Sequence, residues 1–218
     1  MAKWKEVSEM KFEIQLLDGT RIGGAGGGLE IGGVDPNLMA LKDPVSGQPY
    51  IPGSSLKGKL RSILEREYGL GQGGEPCGCG MKTCQVCPIF GAHKNTKADC
   101  GTSRLTVRDA HFTKESLENW KKNPILEQKT ENIIDRNRGL AEHPRTQERV
   151  PAGAVFNAEI VLKLFDGDDH AAMIKNIKHA LGVLQRFDAL GSGGSRGSGR
   201  IEIKNFSEKK IALADVTL

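Results

Sequence analysis

The order of the hydrophobic patterns along the chain constrains its fold most, because patterns with the period of a strand alternate with patterns of helical period. Residues 11–17 place an apolar side chain at every second position, as a half-buried strand does. Three later segments show strand patterns of the same kind. They lie at 103–112, 156–164 and 201–206.

Two helices are predicted between these strands. The first begins at Ser54 or Ser55, either of which can cap it, and ends near Gly69. The second begins at Asp168 or Asp169 and repeats apolar residues at helical spacing. The resulting order, strand, helix, strand, strand, helix, strand, predicts an α+β chain with a ferredoxin-like core, the topology of the RRM class of RNA-binding modules.

The 218 residues fit one domain that carries large insertions into this core. The core is expected at about 11–17, 54–69, 103–112 and 154–206. The insertions are expected at 18–52, 70–102 and 113–153. We call 70–102 the cysteine insertion.

Composition indicates a globular protein of the cytoplasm. Hydrophobic residues make up 38% and charged residues 27%, values unlike those of a disordered or membrane chain. The N-terminal MAKWKEVSEMKF has no apolar run, so neither a signal peptide nor a membrane anchor is expected. The net charge of +4 is too small to identify a nucleic-acid binder by itself.

All five cysteines lie in the cysteine insertion, and four of them crowd into residues 77–87 with a spacing typical of a metal site. These four are Cys77, Cys79, Cys84 and Cys87. Four thiolates suit tetrahedral zinc in a closed structural site, and Cys100 or His93 could replace one of them. A redox CxxC is the alternative, although no thioredoxin-like pattern surrounds these residues.

The start of the first predicted helix, GSSLKGKLR, is rich in groups that bind phosphate. It resembles a nucleotide-binding P-loop, but Leu60 stands where a magnesium-binding Ser or Thr is required, and the prolines before it preclude the buried strand that a P-loop follows. We therefore expect phosphate binding without nucleotide hydrolysis. The alternative is a solvated helix start with surface lysines.

Two further segments could contact nucleic acid. The loop 191–199 joins bare glycine amides to the guanidinium of Arg196, which suits a phosphate backbone, unless it is only a flexible connector. The segment 131–149 carries four arginines among Ile133, Ile134 and Leu140, and could form an extended hairpin on a single strand of nucleic acid. A plain exposed loop is its alternative.

The glycine-rich segment 18–52 is long for an ordinary connection and contains Asp35 in GGVDPN. No core requirement explains a carboxylate there. An Asp before Pro is also a common turn residue, so the pattern alone leaves both a functional and a turn role open.

Several motifs together resemble a known family. They are YIPGSSLKGKLRS, the cysteines running into CPIFG, ENIIDRNRGLA followed by ERVPAGAVF, and LGSGGSRGSGRIEI, with RIGG near the N-terminus. Between Phe12 and Phe206 the chain resembles the RAMP superfamily, and specifically the repeated backbone subunit of type III CRISPR effectors of the Csm kind.

The resemblance implies a filament of several copies on a guide CRISPR RNA, beside other type III effector subunits, with a core palm and a protruding thumb. It implies guide contacts by two groups of residues and places Arg136 and Arg138 in the thumb. The groups are Ser54, Ser55, Lys57, Lys59 and Arg61, and then Gly193, Gly194, Ser195, Arg196 and Gly197.

The resemblance also implies cleavage of single-stranded target RNA that depends on magnesium or another divalent cation and on Asp35. Asp43 is the other loop aspartate, but it matches the DP that leads into YIPG. Many relatives carry His where this chain has Arg21. A backbone subunit that binds RNA without cutting it is the alternative function, and a zinc-dependent or redox enzyme is a third hypothesis.

Overall fold

A computed structural model describes residues 3–23, 40 and 42–217 of the chain. Its strands are β1 (Trp4–Leu16), β2 (Leu105–Val107), β3 (His111–Phe112), β4 (Glu127–Ile134), β5 (Ala141–Arg149), β6 (Val155–Phe165) and β7 (Ile201–Ala212). Its α-helices are α1 (Gly53–Glu67), α2 (Cys87–Phe90), α3 (Lys114–Lys122) and α4 (His170–Phe187).

The main sheet runs in the order β2, β6, β1, β7, with β3 also paired to β6. Every pairing in it is antiparallel. Alternate residues of β1 and β6 are buried, because one face of the sheet is covered. This burial explains the period-two hydrophobic pattern of the sequence. The expected mixed α and β class is therefore confirmed.

Helices α1 and α4 pack against each other and share the core with the buried sheet face. Leu56, Leu60 and Leu64 of α1 are almost fully buried, as are Ile177 and Leu184 of α4. Burial of such side chains stabilises the fold by about 1.5–3 kcal/mol each. The helical spacing of these residues is what made both helices predictable.

Strands β1 and β7 are longer than predicted. β1 begins at Trp4 and β7 continues to Ala212, because Glu6 lies opposite Ala212 and Met10 opposite Glu208 across the pair. The second half of β7 is largely exposed, so backbone pairing rather than burial supports it. The sequence pattern, which reports burial, did not indicate this extension.

Helix α1 begins at Gly53 with Pro52 at its N-cap position, so the prediction that Ser54 or Ser55 caps it is wrong. The carboxylate of Asp109, between β2 and β3, accepts a hydrogen bond from the Gly53 amide at 2.7 Å. A Cβ at Gly53 would lie 2.2 Å from the carbonyl oxygen of Val107, so the helix start packs directly on that backbone. Helix α4 is capped as predicted, by Asp169.

Strands β4 and β5 form a separate antiparallel hairpin within 113–153, which we call the thumb hairpin. Near its tip Ile133, Ile134 and Leu140 are exposed. In the part of the chain that the structure describes, no helix is long and apolar enough to cross a membrane.

Candidate nucleic-acid interface and metal site

Helix α1 carries polar side chains on two different faces. Ser55, Lys59 and Ser62, spaced four and three residues apart, form the cleft face. They line a cleft of about 370 Å³ opposite Gly191 and Ser192, which follow α4. Two motifs that are far apart in the sequence therefore meet, as expected if both contact one ligand.

The cleft offers an ammonium group, hydroxyl groups and a close-packed glycine backbone. Lys59 Nζ lies 2.9 Å from Asp188 Oδ1. The pKa of the Asp188 carboxyl is lowered, because its partial burial, which acts to raise the pKa, is outweighed by Lys59 and by the Ala189 amide. A Cβ at Gly191 would lie 2.3 Å from the Arg21 carbonyl oxygen, so this wall of the cleft requires glycine. The donor set suits a phosphate group.

The loop 191–199, which we call the glycine-rich loop, lies at the foot of the thumb hairpin. Gly194–Arg196 form a 3₁₀ turn between Gly193 and Gly197, and both of these glycines have a left-handed backbone conformation. Arg149 Nη1 donates to Ser198 Oγ at 2.8 Å, and Lys129 Nζ donates to the Arg196 carbonyl oxygen at 2.6 Å. The loop is thus held between the cleft and the hairpin.

Arg196 contacts the hairpin through its side chain as well, since its Nε lies 3.1 Å from a carboxylate oxygen of Glu131. The pKa of Glu131 is lowered: desolvation acts to raise it, but Arg196 and Lys129 outweigh that effect. Arg196 therefore brings its positive charge to the junction of loop and hairpin, where part of it is already balanced.

Lys57 and Arg61 lie on the other face of α1, where the helix contacts the cysteine insertion and the residues just after it. Lys57 Nζ donates to Ser103 Oγ at 3.0 Å and to the Leu105 carbonyl oxygen at 2.9 Å. Its pKa is lowered by burial, with Arg61 and Lys163 adding to the effect. Both residues already make intramolecular bonds. Guide contact by Lys57 and Arg61 stays a prediction.

The tip of the thumb hairpin presents charge next to exposed apolar side chains. Arg138 Nε lies 2.6 Å from Asp135 Oδ2, and its guanidinium also contacts Glu142. Arg138 lowers the pKa of the Asp135 carboxyl. Arg136 is exposed in the connecting turn. The tip is suited to contact with bases and phosphates together.

Asp35 lies outside the described residues. Asp43 is described, and its carboxylate accepts from the amides of Val45 at 3.1 Å and Ser46 at 2.7 Å. These bonds lower the pKa of Asp43, the Ser46 amide most strongly. Asp43 therefore has the turn-forming role that an Asp before Pro commonly has.

The four predicted cysteines do come together, with their sulfur atoms all within 4.8 Å of one another. Cys87 Sγ lies 3.7 Å from Cys77 Sγ and 3.7 Å from Cys79 Sγ. In a tetrahedral zinc site with Zn–S bonds of about 2.3 Å, ligand sulfurs lie about 3.8 Å apart. The donor set and its spacing fit such an ion.

The two substitutes considered from sequence lie outside this four-sulfur group. His93 Nε2 pairs with Glu75 at 2.7 Å, and the Cys100 thiol donates to the Gly101 carbonyl oxygen. Burial, together with the neighbouring thiols, raises the pKa of Cys87, so a bound cation would be needed to hold it as a thiolate at neutral pH.

Three residues important for the site were not among those predicted from the sequence. Asp109 fixes the start of α1, Glu65 bonds to Cys77, and Ser62 lines the cleft. Ser62 could have been found, because it follows Lys59 by three residues and so shares its helical face. The other two act across tertiary contacts.

Comparison with known proteins agrees with the geometry. The family model of the RAMP superfamily matches residues 13–202. The chain is 39% identical over 208 residues to "CRISPR system Cms endoribonuclease Csm3" of Methanothermobacter thermautotrophicus, covering 88% of this chain and 82% of that protein. It is 40% identical over 201 residues to the protein of the same name from Methanocaldococcus jannaschii, covering 88% and 76%.

Among solved structures, the crystal structure of a Csm3–Csm4 subcomplex of the type III-A CRISPR-Cas interference complex matches with a TM-score of 0.62 and 28% identity. The match covers 97% of this chain and 83% of that one. The chain therefore belongs to the RAMP superfamily and is a Csm-type member of it.

Proposed function

We propose that this chain is a guide-RNA-binding subunit of a type III CRISPR interference complex and cleaves target RNA complementary to the guide. One observation carries the proposal: the cleft face of α1, the glycine-rich loop and the foot of the thumb hairpin adjoin one another. Relatives up to 40% identical are named endoribonucleases, which supports the cleaving role over a purely structural one.

We infer that the main sheet and helices α1 and α4 form the ferredoxin-like palm. The sheet order β2, β6, β1, β7 supports this, because it places the first and third strands of the core at the centre. Copies of the same chain in a filament, other effector subunits, the guide and single-stranded target RNA are the proposed partners, in the cytoplasm.

Cleavage is proposed to depend on Asp35 and a divalent cation. Asp35 would either hold magnesium or accept the proton of the 2'-hydroxyl. The 2'-oxygen forms a bond to the adjacent phosphorus, the bond to the 5'-oxygen breaks, and that oxygen takes up a proton. The products are a 2',3'-cyclic phosphate and a 5'-hydroxyl.

The metal of the four-cysteine site is proposed to be zinc in a structural role. Four protein thiolates leave no open position for substrate, which argues against catalysis at this ion. The apolar cluster around the site consists of cysteines with Leu70, Ala92 and Ala98 at its edge, too little to hold the insertion together alone.

The proposed function is tested by assembling the complete effector with a guide RNA and adding complementary RNA with magnesium. We expect cuts within the paired region that end in 2',3'-cyclic phosphates, and no cuts after chelation of magnesium or with non-complementary RNA. An assembled complex that binds the complementary RNA but never cuts it would instead establish the purely structural subunit.

Replacing Lys59 by Met should weaken guide binding, because Lys59 supplies the ammonium group of the cleft. Each lost phosphate contact lowers the slope of log affinity against log salt by about 0.7 for a single strand. Binding to guide RNA is measured at several salt concentrations. Lys175→Met is the matched control, since Lys175 is an exposed lysine of α4 outside the cleft and the charge change is equal. Equal slopes in the two variants would remove Lys59 from the interface.

A further inference from the structure

Helix α1 holds both ends of the segment that carries the cysteine cluster. On the side away from the cleft, Lys57, Arg61 and Glu65 recur every four residues and form the insertion face. Lys57 bonds to Ser103 and Leu105, just after the insertion. Arg61 and Glu65 bond to Cys77, the first of the four cysteines.

The contact with Cys77 is a closed ring of three hydrogen bonds. Arg61 Nη2 donates to the Cys77 carbonyl oxygen at 2.6 Å, and the Cys77 amide donates to Glu65 Oε1 at 2.8 Å. Arg61 Nε donates to the same Glu65 oxygen at 2.7 Å. The two side chains are only 15% and 12% exposed, so water competes weakly for these bonds. One ion pair thus binds both backbone polar groups of Cys77, and the Cys77 carbonyl oxygen also accepts from the His93 amide at 3.1 Å.

The two halves of the cysteine cluster are supported differently. Cys84 is held within its own turn, where the amides of Val86 and Cys87 point at its sulfur at 3.5 and 3.3 Å. Cys77 and Cys79 alternate with Gly78 and Gly80, and glycine provides little local restraint. This half is instead held by other parts of the chain. The amides of His93 and Cys100 donate to the carbonyl oxygens of Cys77 and Gly80 at 3.1 and 2.8 Å, and α1 adds the side-chain bonds to both polar groups of the Cys77 backbone.

The contribution of the pair is geometric rather than electrostatic. A divalent ion with four thiolates carries a net charge of −2, which a lone arginine would stabilise. Here the Glu65 carboxylate balances the Arg61 guanidinium, so the pair brings almost no net charge to the site. What it does supply is a fixed orientation of the Cys77 peptide, and with it the direction of the Cys77 side chain.

We propose that Arg61 and Glu65 are positioning residues of the metal site, which orient Cys77 toward the ion that the other three thiolates bind. The proposal rests on the proposed zinc site. It also gives Arg61 a role different from the guide contact expected from the sequence. Loss of groups that orient metal ligands lowers metal affinity by about 10- to 100-fold, and we expect a loss in this range.

The experiment uses the full chain loaded with zinc and compares Arg61→Met, Glu65→Met and Glu65→Gln with wild type. Glutamine keeps an oxygen that can accept from the Cys77 amide, so Glu65→Gln should retain more affinity than Glu65→Met. Arg66→Met and Glu67→Gln are the controls, because both residues are exposed on the same helix. Zinc affinity is measured by competition with a chromophoric chelator.

Two further readouts separate positioning from a general loss of stability. The cobalt-substituted protein should show altered thiolate-to-cobalt absorption in Arg61→Met and Glu65→Met but not in the controls. The difference in melting temperature between zinc-loaded and metal-free protein should shrink in these variants. A merely structural role would lower both melting temperatures equally and leave the affinity and the spectrum unchanged.

The outcomes distinguish the two proposals. If wild type binds no zinc or cobalt through its thiols, the metal site itself is wrong. If wild type binds the metal and the Arg61 and Glu65 variants bind it equally tightly with the same spectrum, only the positioning role is overturned. A zinc affinity that is highest in wild type, lower in Glu65→Gln and lowest in Glu65→Met supports the positioning role.

Discussion

Replacing Asp35 by Ala is expected to abolish cleavage of target RNA by the assembled complex while target binding stays nearly unchanged. A carboxylate that takes a proton in the transition state contributes about 100- to 10,000-fold to a rate. A carboxylate that holds a catalytic cation supports an effect of several kcal/mol, which is of similar size. Target binding depends on pairing with the guide and on phosphate contacts made by other residues, so it should not follow the loss. Cleavage is measured in single-turnover assays and binding by titration on the same preparations.

Asp43→Ala is the matched control for this experiment. Asp43 is an aspartate of the same predicted segment, also followed by proline, but its carboxylate is occupied by the amides of its own turn. The control should therefore cut at close to the wild-type rate. Undiminished cleavage by Asp35→Ala would remove Asp35 from the mechanism, and equal losses in both variants would point to damage to the loop rather than to lost chemistry.

The parts of the fold that follow from burial were predictable from the sequence. Phe156, Ile160 and Leu164 fall on one side of β6 because the sheet has one covered face, and the alternation reports that face directly. Helix α4 was found for the same reason, since Met173, Ile177 and Leu184 all face the core. A local hydrophobic pattern is enough to predict a helix or strand where burial in the core alone determines which positions are apolar.

The orientation of the polar residues of α1 could not be predicted from the local sequence. Lys57, Lys59 and Arg61 lie within five residues and read as one basic cluster, yet only Lys59 faces the cleft. Which face of a helix meets an insertion depends on tertiary packing, which residue types do not encode locally. Tertiary packing also brings Asp109 to the start of α1. Its carboxylate accepts a hydrogen bond from the Gly53 amide, 56 residues away in the sequence.

The ligand set of the metal site, in contrast, was predictable. Cys77 and Cys79 are separated by one residue, and Cys84 and Cys87 by two, so each pair is brought together by its own turn. Two such pairs only four residues apart have few ways to avoid each other. What the spacing could not indicate is the support of one pair by α1, because the Glu65 carboxylate belongs to another element.

Replacing Cys84 and Cys87 together by Ser should release the bound metal and destabilise the cysteine insertion. Two of four thiolates are lost, and serine hydroxyls bind zinc poorly at neutral pH. With free metal about 1,000-fold above the dissociation constant, a lost site costs about 4 kcal/mol of unfolding free energy. Metal content falls from about one ion per chain to none, and limited proteolysis within 70–102 becomes faster while the palm stays folded.

Cys100→Ser is the control that gives this experiment its meaning. Cys100 is buried beside the cluster, packs against Cys77 and Cys87, and yet lies outside the four-sulfur group. Its replacement removes an equally buried thiol, so it measures the cost of a serine in this environment without the loss of a ligand. Metal retained by Cys100→Ser and lost by Cys84→Ser/Cys87→Ser identifies the ligands, whereas unchanged metal content and melting in the double variant would show that other residues bind the ion.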